Sequence, residues 1–290
     1  MEIKRATTIE EQISLLKERG IIIDNENEAA DFLSNVNYYT LSGYLHAFKT
    51  NDSFPEGMTM KKVIAIYQCD RSFRNVLLYA LGEIEQNLKT KIAYCLAHEI
   101  GPVGYLDENN FIDKEKFDSF KQKFDDAVKR NKKLPFVKHH IKKYESVMPI
   151  WVSINLFTLG MIQNFYENLN TPLKKEIAKR YNISSDMLLD WMKCIVYLRN
   201  LVAHYMRLYD FKIQVTPRKD KKRAEKDENK NVPNPSSYVF DIIYMMQFLY
   251  PNRREWDLQV KTAFRAIFDQ YKKHIDISSY GFPKKWGKYL

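Results

Sequence analysis

The strongest constraint in this sequence is a run from Met60 to about Glu99 in which apolar side chains return every three or four residues. Val63, Ile66, Tyr67, Phe73, Leu77, Leu81, Ile84, Leu88, Ile92 and Cys95 mark one stripe, and Gly101-Pro102 ends it. That spacing is the period of an α-helix, and so long a stripe has to be covered by other helices along its whole extent. The fold class expected is therefore all-α (mainly α), an elongated bundle in which the central helix has long partners. The opposite face carries Asp70, Arg71, Arg74, Glu83, Glu85 and Lys89, with Asp70/Arg74 and Glu85/Lys89 spaced as i,i+4 ion pairs. Charges at that spacing read as a solvated face.

Composition points the same way. Only 9 Gly and 10 Pro punctuate 290 residues, and 45% are hydrophobic, ample for a packed core. Cys69, Cys95 and Cys194 fall inside apolar periodic segments with no paired spacing, so they read as small buried hydrophobes in a reducing compartment. The residues after Met1 contain no apolar signal core and no run approaches membrane-spanning length, so a cytoplasmic protein is expected, with no membrane partner. No Gly-rich phosphate loop, HExxH, DxD pair or nucleophile elbow is present, which leaves P-loop, zinc-protease and hydrolase classes without support. His46, His98, His139, His140, His204 and His274 are scattered without ligand spacing, so no metal and no other cofactor is expected. A formal charge of +10 is compatible with nucleic acid or an anionic surface and does not choose between them.

Along the chain, Thr8 and Glu11 form a capping-box pattern before a first helix stopped by Gly20, and Asp24 is read as the cap of a second over Glu28 to Asn35. Ile21-Ile22-Ile23 suits a strand or an extended connector. The aromatics of Asn37 to Phe48 read as core or interface anchors. A turn cluster at Asn51 to Gly57 is the best boundary, dividing a helical appendage, 1–57, from a main helical domain, 58–290. Phe117, Phe120, Phe124 and Val128 line one side of a Lys-rich helix, and His139-His140 with Lys142-Lys143 is either a basic patch or an exposed helix end. Pro149 starts an apolar helix read as continuing to about Leu169, Thr171-Pro172 starts a short one, and Ser184 to Asp186 cap the next. Phe211 to Val215 looks β-like, and residues 211–236 are read as a charged loop or hairpin insertion. Helices over Tyr238 to Tyr250 and Asp257 to His274 close the chain.

The segment Ile195 to Asp210 reads as an apolar helix whose polar interruptions include Arg199, Asn200 and His204 in place of the usual Lys and Glu. On a helix, Asn200 and His204 lie one turn apart, as do Ala203 and Arg207, while Arg199 and His204 diverge by about 140°. An imidazole moves protons near neutrality, a guanidinium grips a phosphate through two parallel hydrogen bonds, and an amide orients either one. Those are the parts of a metal-free phosphodiester-cleaving site. The competing reading makes His204 a satisfied core histidine and Arg199 a surface cation.

The string Leu198-Arg199-Asn200 to Ala203-His204, followed by Arg207-Leu208-Tyr209, resembles the Arg-x4-His motif of HEPN nucleases, in the form found in the Abi-like (AbiD/AbiF, Abi_2) phage-defence proteins. Further blocks resemble that family in order: Arg19-Gly20 to Asp24, Asn37-Tyr38-Tyr39 to Tyr44, Tyr67 to Arg74 with Ile84-Glu85, Pro149-Ile150-Trp151 with Leu159-Gly160, and Gly281-Phe282-Pro283 with Trp286. The chain departs from many relatives in carrying Tyr205, Tyr209 and Asp210 where they have a second His and, further on, Trp and Asn. The resemblance implies a HEPN-type helical bundle, metal-independent endoribonuclease activity, and a role in abortive infection or as a toxin, with RNA as substrate. It implies a homodimer with a composite site and admits an antitoxin or other regulator as partner. It assigns catalysis to Arg199, Asn200 and His204, and RNA binding or support to Arg207, Arg71, Arg74, Glu85 and Tyr205. Arg207 is expected to contact RNA, or to pair with Asp210 or with Glu85. The alternative is a non-catalytic protein of the same fold that holds a structured noncoding RNA.

Overall fold

The computed structural model describes residues 5–49, 53–219 and 236–290. Its axis is α4 (Met60–Glu99), started by Thr59, whose hydroxyl accepts the Lys62 amide, and closed before Gly101, whose φ of 79° suits a residue without Cβ. At 1.5 Å per residue it is about 60 Å long. The apolar stripe is buried end to end, from Val63 through Phe73 and Ile84 to Cys95. This is the helix the spacing predicts, and it is packed on by α3 (Tyr38–Leu45), α7 (Ile150–Ser153), α9 (Thr171–Lys179), α10 (Ser185–Ala203), α11 (Val239–Leu249) and, after the short α12 (Arg253–Glu255), α13 (Thr262–Tyr271).

The remaining helices are α1 (Ile9–Glu18), α2 (Glu26–Asn35), α5 (Lys114–Arg130), α6 (Pro135–Lys143) and α8 (Leu159–Asn168). The capping box at Thr8 and Glu11 forms as expected, whereas α2 is capped by Asn25 and not by Asp24. A π-helical stretch, Trp256–Lys261, joins α12 to α13. Among the described residues there is no sheet. Ile22 makes a single parallel bridge to Thr59, and Phe111 a single antiparallel one to Leu169. No helix is long and apolar enough to cross a membrane among the described residues.

Several local expectations are corrected. The apolar segment after Pro149 is not one helix: it breaks at Phe157, and the Thr158 hydroxyl caps a new helix by accepting the Met161 amide. The β-like segment at Phe211 to Val215 is irregular, tied down by the Ile213 amide donating to the Ser237 carbonyl. Most of the charged insertion, 220–235, lies outside the described residues. The charged face of α4 is not uniformly solvated either, because Asp70 and Arg74 are fully buried.

Candidate active site

Burial on one side of α10 decides which side chains face out. Leu198 and Val202 are sealed in the core, which leaves Arg199, Asn200 and Ala203 exposed on the other face. The helix does not continue to Asp210, as its apolar content suggested. It stops at Ala203, with His204 as C-cap and Tyr205 in the left-handed region at φ 55°. The Tyr205 amide donates to the Val202 carbonyl (3.2 Å) and the Met206 amide to the Leu201 carbonyl (2.9 Å), the paired closure of a Schellman motif. Asn200 and His204 remain one turn apart, linked by a 3.0 Å backbone hydrogen bond, but Ala203 and Arg207 do not share a helical face.

Arg199, Asn200 and His204 are thus all exposed at the end of α10. The Arg199 guanidinium donates to the Asn200 side-chain oxygen at 3.5 Å. Among the described residues, no carboxylate pairs with Arg199 and no hydrogen bond engages the His204 ring. His204 is thus not the satisfied core histidine of the competing reading, whereas Arg199 is exposed, as that reading also has it.

The loop after His204 is held from below by Asp70. This carboxylate accepts the Leu208 and Tyr209 amides, each at 3.1 Å, the Tyr44 hydroxyl at 2.7 Å, and the Arg74 guanidinium. Arg74 also donates to the Met206 carbonyl at 3.4 Å and lies 5.3 Å from the centre of the Tyr205 ring. A buried carboxylate is tolerable only when its lone pairs are filled, and this one is surrounded by donors. Complete burial raises the Asp70 carboxyl above its ordinary range, against the pull of Arg74 and the other donors. Burial also raises the Tyr44 hydroxyl, and it lifts the adjacent Cys69 thiol to about 12. From the other side, Tyr280 packs edge-on to Tyr209 at 5.4 Å, and the Ser279 carbonyl accepts the Asp210 amide at 2.9 Å.

The supporting residues read from the sequence therefore divide. Tyr205, with 59% of its surface exposed, adjoins His204, and Arg74 lies beneath it as a buried anchor with no access to a ligand. Arg71 is exposed on α4. Glu85 pairs with Lys89 at 2.8 Å and Asp210 accepts the Tyr238 hydroxyl at 3.4 Å, and among the described residues no ion pair joins either to Arg207. Arg207 is half-buried, and its Nη1 is a sealed donor without a hydrogen-bond partner among the described residues. The sequence reading missed Asp70 as part of this region. Its signal was present: Asp70 falls between Ile66 and Phe73, in register with the apolar stripe, where a carboxylate is out of place unless paired.

Among the described residues, no three His, Cys, Asp or Glu side chains converge in a way that could hold a metal. No curated protein and no solved structure matches the chain. The family described as Abi-like protein matches residues 31–210, well over half of the chain, from within α2 through α4 and α10 to the loop that Asp70 holds. The chain belongs to that Abi-like family.

Proposed function

We propose that this protein is a metal-independent HEPN-type endoribonuclease acting in abortive infection, as a phage-defence effector or toxin, with its active site at Arg199, Asn200 and His204. The observation that carries this reading is the exposure of Arg199 and His204 at one helix end, engaged by no carboxylate among the described residues and followed by a loop that a buried ion pair fixes. An arginine and a histidine left free for solvent, on a base fixed by costly buried charges, suit an anionic ligand better than they suit fold stability.

In this reading the His204 imidazole takes the proton of a ribose 2'-hydroxyl or delivers one to the leaving 5'-oxygen. The attacking oxygen closes onto phosphorus as the P–O5' bond breaks, giving a 2',3'-cyclic phosphate and a 5'-hydroxyl. Arg199 offers its guanidinium to the phosphorane-like charge, and Asn200, already bonded to Arg199, orients it. One subunit supplies a single set of these groups, and the second comes from a partner copy across a homodimer.

The test is cleavage of a mixed RNA pool by the purified protein in excess chelator. Wild type is expected to cut, while Arg199→Ala and His204→Ala each reduce the rate by at least a hundredfold and elute like wild type in gel filtration. A His204→Ala variant that cuts at the wild-type rate refutes the assignment. Salt-sensitive RNA binding without cutting in every variant would instead favour the non-catalytic RNA-holding reading.

A further inference from the structure

A second surface is built for a polyanion, far from the Arg199–His204 region. From Lys129 to Lys143, seven of fifteen residues are Lys or Arg and none is Asp or Glu. All seven are exposed. Of these, only Lys129 has a carboxylate within ion-pair distance among the described residues, Asp126 at 3.8 Å.

Helix stability accounts for only part of this run. Cations favour the last turn of a helix, which covers Lys129 and Arg130 in α5 and Lys142 and Lys143 in α6, but Lys138 lies mid-helix, and Lys132 and Lys133 sit between the α5 C-terminus, which favours them, and the α6 N-terminus, which opposes them. Like charges held this close repel, and an anionic partner relieves that cost.

Exposed rings and apolar side chains interleave with the charges. Tyr144 is 45% exposed and Trp151 54%, with Leu134, Ile141 and Val147 also open to solvent. The His139, His140 and Tyr144 rings cluster at centroid distances of 5.4 to 5.7 Å, and the Lys143 ammonium lies 5.3 Å from the Tyr144 ring centre. Glu145 and Ser146 both take positive φ, 49° and 70°, turning the chain sharply between Tyr144 and the segment that leads to Trp151. Cations that follow a phosphate backbone, combined with flat rings on which unpaired bases stack, are the elements of a single-strand-tolerant nucleic-acid surface. A membrane face would require a continuous apolar stripe, whereas here the apolar side chains are separated by lysines and histidines.

We infer that the α5–α6 elbow, with Tyr144 and Trp151, is a docking surface for RNA, separate from the catalytic region. The inference takes RNA from the proposed nuclease reading. Its position sets the size of the ligand. The Ile150 amide donates to the Pro102 carbonyl just past the end of α4, while the catalytic loop is anchored at Asp70 and Arg74 on the same helix. Those two anchors are roughly 40 Å apart along α4, the length of about 14 base pairs of an A-form RNA stem. An RNA touching both has to be a stem-loop or a comparably long strand, and a hexanucleotide reaches only one of them.

The experiment compares the parent with Lys132→Gln/Lys133→Gln/Lys138→Gln/Lys142→Gln and with Tyr144→Ala/Trp151→Ala. Binding of a labelled stem-loop is measured by anisotropy across a salt series, in a His204→Ala background so that no strand is cut. The four-lysine variant is expected to bind at least tenfold more weakly at 0.1 M salt, with the slope of log affinity against log salt reduced by roughly 3. The aromatic variant is expected to lose about tenfold in affinity with the slope unchanged. In the cleavage-competent chain, the four-lysine change is expected to raise KM for the stem-loop and leave kcat and hexanucleotide cleavage unaltered.

Stem-loop affinity and salt slope equal to those of the parent would overturn the inference. So would phosphatidylglycerol vesicles that sediment with the parent and not with the four-lysine variant while RNA binding is unchanged. If no RNA is cut by any chain yet the four-lysine variant loses binding, the surface stands and the nuclease reading falls.

Discussion

Tyr205 occupies a position that a glycine would fill at no steric cost. At the residue after a helix C-cap, the left-handed conformation costs an L side chain about 1 kcal/mol, and here φ is 55°. The Tyr205 ring offsets part of that cost by lying over the buried Arg74 guanidinium, and it leaves more than half its surface in solvent next to His204. Two substitutions separate these effects. Tyr205→Gly relieves the backbone and loses the ring contact, whereas Tyr205→Ala loses the contact and keeps the strained φ. Tyr205→Gly is therefore expected to be about 1 kcal/mol more stable than Tyr205→Ala in urea unfolding, and equal stability would show that the left-handed backbone carries no cost at this position. The same residue explains why the helix end was illegible. Apolar side chains continue past Ala203 to Leu208, and the usual marker of a stop, Gly at the first left-handed position, is replaced by Tyr.

At the scale of elements, the end of α10 is fixed mainly by α4. Asp70 takes the Leu208 and Tyr209 amides beyond the Tyr205 turn, so the geometry of the His204 loop is set by a side chain 138 residues away in sequence. Asp70→Ala leaves the Arg74 guanidinium buried without its carboxylate and orphans the Leu208 and Tyr209 amides, a loss of roughly 3–5 kcal/mol. That variant is expected to unfold at correspondingly lower urea, and Asp70→Asn, which keeps an acceptor, to lose less. Wild-type stability in Asp70→Ala would mean that the buried pair does not hold the loop. This dependence also marks the boundary of what the sequence disclosed. The length of α4 and the caps of α1, α8, α9 and α10 rest on local spacing and local hydrogen bonds, and Thr8, Ser184 and Pro172 announce three of those starts directly. Whether an i,i+4 pair is solvated or buried is not local: Glu85/Lys89 and Asp70/Arg74 share the same spacing, and only the latter meets Tyr44 and the Leu208 loop. The break at Phe157 escaped notice for a similar reason, since Thr158 is an ordinary helix residue until its hydroxyl accepts the Met161 amide.

For the whole molecule, the proposed chemistry needs more than one subunit presents. Arg199 and His204 sit on either side of a helix end, with Tyr205 and Met206 exposed beside them, and nothing from the same chain engages the His204 ring among the described residues. A second copy brought over this patch would supply an arginine facing a histidine and would cover the exposed aromatic and thioether surface, in the isologous manner of a two-fold dimer. Two consequences separate a shared site from one contained in each chain. Specific cleavage activity is expected to fall on dilution through the dimer dissociation range, because the site disappears with the dimer. Arg199→Ala and His204→Ala chains, each inactive alone, are expected to recover activity when mixed under conditions that exchange subunits, since a mixed dimer places an intact His204 opposite an intact Arg199. No recovery, with mixed dimers demonstrated by differential tagging, would show that one His204 facing one Arg199 across the interface does not make a working site.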